Sequence, residues 1–279
     1  MARLLRNAGR EVMTSLGSPT PLPIPPASQS RPTAIFRRGL IRLGHFLFGY
    51  RDYLFPLAFL VLTVISSPEF PLGSEQLDRW LDGVGVVVVL TGQVLRVLVI
   101  GFVPIKRGGN KKRIAADTLV REGFFAHSRN PLYLGNLLII LGFVLIANCR
   151  WWYLLVIPGF SLTYWAIILA EEEFLTQKFG KEYEEYCRQV NRLVPDFTGL
   201  CRSLNLLGFD WKRAIQKEYG TIFTCMSMTV FLLIWEKWKR FGYSARQAEI
   251  QRLLGSFLVL CLAYLVARVL KKTGRLGGL

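Results

Sequence analysis

Residues 131–173 decide the fold of this chain: PLYLGNLLIILGFVLIANCRWWYLLVIPGFSLTYWAIILAEEE. Two apolar blocks, Leu132–Ala147 and Trp152–Ala170, contain no charged residue and are separated only by Asn148–Trp151. A helix needs roughly 20 apolar residues to cross about 30 Å of hydrocarbon, and each block approaches that length with its flanks. Because irregular backbone cannot face lipid, we predict a tight antiparallel hairpin of two membrane helices.

Further apolar blocks extend this pattern over most of the chain. Of 279 residues, 52% are hydrophobic, which is more than one soluble core requires. Comparable blocks cover Val84–Pro104, Thr221–Trp235 and Leu253–Leu270, and a shorter one, Tyr53–Ser67, predicts a tilted or partial span. We therefore predict an all-α, polytopic helical membrane protein with about six transmembrane helices.

The net charge of the chain is strongly positive, at +16. Such a charge can indicate nucleic-acid binding, but Lys and Arg also collect in the cytoplasmic loops of membrane proteins. Seven basic residues fall between 106 and 129, whereas the link Pro68–Asp82 carries four acidic residues and one arginine. We therefore predict a cytoplasmic basic loop, an acidic link on the opposite side, and no nucleic-acid partner. The net basic link Glu236–Arg252 then lies outside, against the rule.

Cysteine and histidine are too few and too scattered to indicate a metal centre. The five cysteines form no C-x-x-C pair, and there are only two histidines. Neither a disulfide framework nor a zinc site is indicated, and we predict no metal.

Three regions of different composition follow one another along the chain. Residues 1–52 are basic and contain a Pro- and Ser-rich stretch at Ser18–Thr33. This composition predicts a disordered tail, and a transit peptide is the alternative. Residues 53–195 form the predicted membrane core. Residues 196–279 are predicted to be a connector and a C-terminal pair of membrane helices.

An amphipathic helix is predicted directly after the hairpin. Its apolar residues recur at spacings of three and four, with charged residues between them: Leu175, Phe179, Tyr183, Tyr186, Val190 and Leu193. We place a joint in this helix at Gly180 and expect the helix to end by Pro195. We expect this helix to lie at the cytoplasmic face, as an interfacial anchor, a lid over a site, or both.

Polar residues that the membrane blocks do not explain meet at one end of the hairpin. Its first helix begins after Arg129, and its second ends at Glu171 and Glu172. Pro131 suits the first turn of a helix, whose free N–H groups can face an anion. The carboxylates can bind an ammonium or sulfonium, and Phe125 and Tyr133 offer aromatic faces. These features together favour a zwitterionic, cationic, adenine-bearing cofactor.

The quoted motifs also resemble a known family. GFFAHSRNPLYLG followed by EEEFL and FGKEYEEYCRQVNRLVP is similar to the isoprenylcysteine carboxyl methyltransferase and phospholipid N-methyltransferase superfamily, over roughly residues 92–195. That superfamily shows G-x-Y-x-x-x-R-H-P-x-Y, then E-E-x-x-L-x-x-x-F-G-x-E-Y-x-x-Y and a closing Pro. The resemblance implies an integral membrane enzyme that transfers a methyl group from S-adenosylmethionine, bound at the cytoplasmic face, to a lipid-linked or membrane-dissolved carboxylate or amine.

The resemblance also implies a set of cofactor-binding residues. They match the family's motifs at Asn110, Asp117, Thr118, Leu119, Val120, Phe125, Asn130, Pro131, Leu132, Tyr133, Glu171 and Glu172. Phe125 replaces the motif's tyrosine and Asn130 its histidine. Ile167 stands where the prenylcysteine enzymes carry an arginine for the substrate carboxylate, which puts that substrate in doubt.

Two arginines are the candidate catalytic residues. Arg129 lies in the motif, and Arg96 lies inside a membrane block, where a charge is costly and usually functional. Arg96 is about 12 Å of helix from Pro104, so snorkelling to the surface is the alternative.

Two other functions remain open from the sequence. One is an NADPH-dependent, sterol-reductase-like membrane oxidoreductase, which would show R-x-x-x-D-D and K-Y-G-x-x-W where this chain has E-E-E and F-G-K-E-Y. The other is a non-catalytic membrane scaffold with a partner-binding Pro-rich tail.

Overall fold

A computed structural model describes residues 31–103, 114, 116–205 and 207–274. The chain divides after Arg38 into two units, and the packing and sites below belong to the unit that starts at Gly39. We number the helices α1 Arg31–Ile65, α2 Glu75–Phe102, α3 Pro131–Ala147, α4 Ile157–Phe179, α5 Lys181–Gln189, α6 Leu200–Asn205, α7 Trp211–Ala245 and α8 Gln247–Lys272. Short 3₁₀ turns at Pro71–Gly73 and Gly123–Ala126 precede α2 and α3. The described ranges contain no strand.

Five helical segments are long and apolar enough to cross a membrane. They are Ile35–Ile65, Glu75–Phe102, Trp152–Phe179, Trp211–Ala245 and Gln247–Lys272. A shorter apolar helix, α3, lies between the second and third of them. The predicted all-α, polytopic membrane architecture with about six membrane helices is therefore confirmed.

The first helix corrects one boundary drawn from the sequence. We placed residues up to 52 in a disordered tail, but α1 begins at Arg31 and is helical through that boundary. Apolar residues interleaved with the arginines explain the difference, since Ile41 is buried against Leu169 and Ala170 of α4. The remaining domain boundaries stay predictions.

The predicted hairpin of α3 and α4 is present. Pro131 occupies the first turn of α3, and Asn148 ends the helix in the left-handed conformation, with φ of 38°. A π-helical turn, Trp152–Val156, leads into α4. Aromatic residues at such a turn usually lie at the membrane interface, but Trp152 is fully buried and its Nε1 donates to Oγ of Ser66 at 3.0 Å.

Two glycine pairs bring the backbones of α2 and α3 into contact. A Cβ on Gly92 would lie 2.6 Å from the carbonyl oxygen of Gly135, and one on Gly135 would lie 2.9 Å from that of Gly92. Gly85 and Gly142 face each other in the same way, at 2.9 and 2.6 Å. Small residues at such positions let membrane helices approach closely. We call this contact the glycine seam.

The amphipathic helix predicted after the hairpin is jointed at Gly180. Gly180 has φ of 53°, a conformation that favours glycine, and it separates α4 from α5. Tyr183 and Tyr186 of α5 are buried, as the apolar stripe predicted. Regular helix ends at Gln189, before Pro195.

The C-terminal helices join the rest of the bundle through α7, which packs on α2 and α3. At the end of α2 opposite the basic loop, Arg240 pairs with Asp78 and with Glu236, and Lys237 lies 3.9 Å from Asp82. We call these five residues the distal ion cluster. Its basic members belong to the link Glu236–Arg252, so acidic residues of α2 neutralise the charge that broke the positive-inside rule.

The distal ion cluster also contains the carboxylate group most like a metal site among the described residues. Ligand atoms of Asp78, Asp82 and Glu236 lie within 4.8 Å of one another, and all three residues are buried. Arg240 and Lys237 already place two positive charges beside them. Two positive charges of the chain thus face three carboxylates in this cluster.

Candidate functional site

A narrow cleft lies at the end of the hairpin where α3 begins and α4 ends. The 3₁₀ turn, the two residues before α3 and the end of α4 supply one part of its wall, and residues of α5 supply another. Its lining residues are Ala116, Asp117, Thr118, Leu119, Val120, Phe125, Arg129, Asn130, Glu171, Glu172, Leu175, Tyr183 and Tyr186. The lining residues come from three stretches of sequence, residues 116–130, 171–175 and 183–186. The hairpin of α3 and α4 and the joint at Gly180 bring these stretches together.

The cleft is organised by one carboxylate held between two arginines. Nη1 of Arg129 lies 3.1 Å from Oε1 of Glu172, and Arg192 donates to both oxygens of Glu172 at 2.9 and 2.8 Å. The guanidinium of Arg192 also lies over the ring of Trp165, 4.8 Å from its centroid. Fork-to-fork pairing of this kind fixes orientation as well as charge. Glu172 is therefore a rigid part of the wall.

The neighbouring carboxylate, Glu171, has a different partner. The hydroxyl of Tyr133 donates to its Oε1 at 2.7 Å, and both residues are buried. Tyr183, across the cleft, presents a protonated hydroxyl, because burial, and then the charge of Glu172, raises the pKa of its phenol well above the usual range. The cleft thus combines a carboxylate with aromatic faces.

Most of the residues predicted to bind the cofactor line this cleft. They are Asp117, Thr118, Leu119, Val120, Phe125, Asn130, Glu171 and Glu172, and Arg129 joins them. Leu132 and Tyr133 line a larger adjoining cavity instead. Pro131 is buried at the start of α3 and lines neither space. Asn110 lies outside the described residues, so its predicted role has no structural test.

The larger cavity has a volume of about 910 Å³ and shares Ala116, Glu171 and Leu175 with the cleft. Aromatic and aliphatic side chains from α1, α3, α4 and α7 form much of its wall; among them are Phe55, Phe59, Ile139, Ile140, Phe143, Phe160 and Phe231. We call it the apolar chamber. A space of this size and lining accepts a large, mostly apolar ligand.

Arg96 lies in the wall of the apolar chamber and is fully engaged there. Its Nε and Nη2 donate to the two oxygens of Glu218 at 3.0 and 2.7 Å, and its Nη1 donates to Oδ1 of Asn136 at 2.6 Å. The snorkelling alternative is therefore wrong, since the guanidinium faces α7 and α3 inside the bundle. Glu218, which is 122 residues away in sequence, holds it there.

His127 takes no part in the cleft. Its Nδ1 lies 2.6 Å from the carbonyl oxygen of Asp196, and its Nε2 lies 2.9 Å from Oγ of Ser203. Both ring nitrogens thus tie the 3₁₀ turn to the segment before α7. His127 therefore has a structural position rather than that of a general base in the cleft.

Several residues of the two spaces were not singled out as site residues from the sequence. Leu175, Tyr183 and Tyr186 were visible only as the apolar stripe of the amphipathic helix. Arg192 and Glu218 gave no signal of their own, because a charged residue in a connector is usually solvated. Only the fold shows that Arg192 pairs with Glu172 beside the cleft and that Glu218 pairs with Arg96 inside the bundle.

Taken together, the cleft and the chamber can hold a ligand with two different ends. Asp117, Glu171 and the aromatic rings suit a cationic, ring-bearing group. Arg129 also lines the cleft, where the positive charge of its guanidinium suits an anionic group. The chamber adds an apolar space that begins at Glu171.

Comparison with known proteins points to methyl transfer. Residues 81–182 match the family model described as phospholipid methyltransferase. The chain is 30% identical over 156 residues to the probable protein-S-isoprenylcysteine O-methyltransferase of Oryza sativa subsp. indica, covering 52% of this chain and 76% of that protein. It is 31% identical over 132 residues to the protein-S-isoprenylcysteine O-methyltransferase of Xenopus laevis, covering 43% of each. No solved structure matches the chain.

Proposed function

Because the chain belongs to the isoprenylcysteine carboxyl methyltransferase and phospholipid methyltransferase superfamily, we propose that it uses S-adenosylmethionine to methylate a lipid-linked or membrane-dissolved acceptor. Membership makes it a membrane methyltransferase. The methyl donor, the class of acceptor and the cytoplasmic position of the cleft are the parts we propose. The observation that carries them is the cleft at Glu171, which joins a polar, aromatic-lined space to an apolar chamber.

The chemistry of the cleft fits the proposed donor. S-adenosylmethionine has an amino acid end with both charges, a sulfonium and an adenine. Glu171 and Asp117 provide negative charge for the cationic groups, and the guanidinium of Arg129 provides positive charge for the carboxylate. Phe125 and Tyr186 provide faces on which an adenine can stack. The residue types present therefore match each part of the molecule.

The volumes of the two spaces support a donor that occupies part of both. The cleft alone encloses only about 30 Å³, which is far below the roughly 300–1,000 Å³ of ordinary ligand sites. Its junction with the chamber provides the missing room. The donor is therefore expected to extend from the cleft to the level of Glu171, which lines both spaces.

A carboxylate acceptor needs no general base, whereas an ammonium acceptor must lose a proton before its nitrogen can attack the methyl group. When bound, S-adenosylmethionine supplies an electrophilic methyl group on a sulfonium. Tyr133 holds Glu171 in place at the junction, and Arg129 and Arg192 hold Glu172. Fixed groups of this kind orient a donor, and the apolar wall of the chamber keeps water from the acceptor. Orientation and exclusion of water are thus the chain's contribution to the rate.

Ligand binding to the purified protein tests the proposal. Calorimetry in detergent should show S-adenosylmethionine or S-adenosylhomocysteine binding at micromolar strength, about −8 kcal/mol. Glu171→Gln should weaken binding roughly tenfold to a hundredfold, because charge-assisted hydrogen bonds contribute about 1.5–3 kcal/mol.

Glu185→Gln is the matched control for this experiment. Glu185 is exposed on α5, and a surface charge contributes only ~0–1 kcal/mol. Gel filtration in detergent should show the same folded species for both variants. Binding of NADPH without heat from either adenosyl ligand would overturn the proposal, and equal small effects of the two substitutions would remove Glu171 from the site.

A further inference from the structure

The wall of the apolar chamber contains an ion pair whose acidic partner lies beyond the segment that matches the family model. Arg96 is in α2, within residues 81–182, and Glu218 is in the first turns of α7, outside it. Both residues line the chamber. The side chains of Arg96 and Glu218 are only 12% and 3% exposed, so the two charges meet away from bulk water. A residue outside the segment that matches the family model thus sets the charge of the chamber wall.

The pairing geometry uses the side of the guanidinium that a substrate carboxylate would need. Glu218 accepts from Nε and Nη2 of Arg96, in the two-point arrangement that carboxylates prefer. Nη1 of Arg96 donates to Asn136, and Nε2 of Gln93 donates to Glu218 at 3.2 Å. An acceptor carboxylate that approaches Arg96 would meet an ion pair with no net charge. The Nε and Nη2 donors of Arg96, which a carboxylate binds best, are already bonded to Glu218.

We infer that Glu218 is a specificity-determining residue that makes the chamber select acceptors whose head carries no negative charge beside Arg96. This inference rests on the proposed function, since it concerns the acceptor of the same reaction. Without Glu218, Arg96 would be a lone buried cation, the group best suited to bind an acidic head. With Glu218, an acidic head loses its hydration and gains no net attraction, which is a costly exchange.

The other charges on the wall do not restore a site for an acid. Arg51 lies 3.8 Å from Asp52, so this cation is also accompanied by an acidic residue. Lys217 and Lys271 are exposed, where water and salt screen them. Glu171, at the junction with the cleft, is itself acidic. The chamber therefore presents no buried cation without a carboxylate partner among its described lining residues.

The test compares one amphiphile in two charge states. N-acetyl-S-farnesylcysteine is the anionic probe and its carboxamide is the neutral one, and their dissociation constants are measured with the full chain in lipid nanodiscs. The wild type should prefer the carboxamide. Glu218→Gln should shift the ratio of the two constants at least about tenfold toward the anion, roughly 1.4 kcal/mol. Arg96→Gln, which leaves the carboxylate alone, should shift it the opposite way.

Opposite shifts from the two single variants separate charge placement from damage to the fold. The double variant Arg96→Gln/Glu218→Gln removes both charges and should keep the wild-type preference, which provides a measurement even where one single variant fails to fold. An unchanged ratio in the folded variants, or a wild type that prefers the anion, would overturn the inference. Binding of S-adenosylhomocysteine is measured alongside, and its loss from the wild type would instead refute the proposed function.

Discussion

The two ends of the hairpin carry similar charged groups and use them differently. At one end, Arg129 and Arg192 hold Glu172 beside the cleft. At the other end, Arg240 holds Asp78 and Glu236 in the distal ion cluster. There Asn148 donates to Asp78 at 2.8 Å, and the ring of Phe70 covers the guanidinium of Arg240. In the distal ion cluster the carboxylates are paired with cations of α7, whereas the cleft adjoins a chamber of about 910 Å³.

This difference shows that a buried charge inside a membrane segment is not by itself a sign of a binding site. Both ends bring carboxylates and guanidinium groups out of water, where each isolated charge is costly. The two ends differ in what surrounds these charges. The distal ion cluster ties α7 to α2, while Glu171 lies where two spaces meet. Binding needs an adjoining volume in addition to the charges.

Removing the central cation of the distal ion cluster should have the largest effect on stability. Arg240 is only 5% exposed and pairs with both Asp78 and Glu236. Arg240→Met therefore leaves two buried carboxylates without their main partner. Loss of one partner from such a cluster costs about 3–5 kcal/mol. Thermal unfolding in detergent should show the loss, while the folded fraction binds S-adenosylhomocysteine with unchanged affinity.

Arg79→Met provides the control at the same end of α2. Arg79 is 63% exposed and lies 3.7 Å from Glu75, so its pairing is worth only ~0–1 kcal/mol. Weaker ligand binding by folded Arg240→Met would show that the two ends are coupled. The contrast between a structural end and a binding end would then have to be abandoned.

Alanine substitution along the glycine seam should have an intermediate effect and should distinguish the two ends. Gly135→Ala and Gly142→Ala each force a methyl group against the facing backbone, which costs about 1–3 kcal/mol. The new methyl of Gly135→Ala would also lie 2.7 Å from Cγ of Arg96, whereas that of Gly142→Ala meets Val89. Amphiphile binding in nanodiscs should therefore weaken in Gly135→Ala alone.

Gly83→Ala is the matched control for these two substitutions. Gly83 also lies in α2, but nothing stands within 4 Å of an added Cβ. Alanine should stabilise the helix there by about 0.5–1 kcal/mol. Equal losses of amphiphile binding in Gly135→Ala and Gly142→Ala would mean that the seam acts on the chamber as a whole.

The smallest effect is expected from an exposed ion pair near the cleft. Arg121 donates to Glu182 of α5 at 2.6 Å, but the two side chains are 46% and 49% exposed. Arg121→Met should therefore change the free energy of unfolding by no more than ~1 kcal/mol and leave donor binding nearly unchanged. A tenfold loss in calorimetry would show that this pair holds α5 over the cleft.

The sequence predicts well what is close together along the chain. The link Asn148–Trp151 is so short that α3 and α4 must be antiparallel, and this alone brings Arg129 to Glu172. The joint at Gly180 and the buried stripe of α5 follow from local periodicity in the same way. Arg129, Glu171 and Glu172 were found for this reason, whereas Asp117, Thr118, Leu119, Val120 and Asn130 were predicted from the family resemblance.

Pairings between distant segments were not predictable from one sequence. Arg96 and Glu218 are separated by 122 residues, and nothing local to either indicates the other. Trp152 is a second example, because an aromatic residue at a membrane edge is usually interfacial, yet here a contact with Ser66 draws it into the core. The apolar chamber likewise exists only once α1, α4 and α7 are in place.

The glycine seam also restricts how a lipid travels to and from the chamber. At Gly92 and Gly135 the backbones of α2 and α3 are in direct contact. A hydrocarbon tail therefore has no space to pass between these two helices. A long-chain molecule diffusing in the bilayer must therefore arrive from another direction. The α1 segment supplies Phe48 and Leu60 to the chamber wall, and only 11% of its most apolar stretch is buried. We expect the proposed acceptor to enter on that side, past the contacts that Phe55 and Phe59 of α1 make with Phe160.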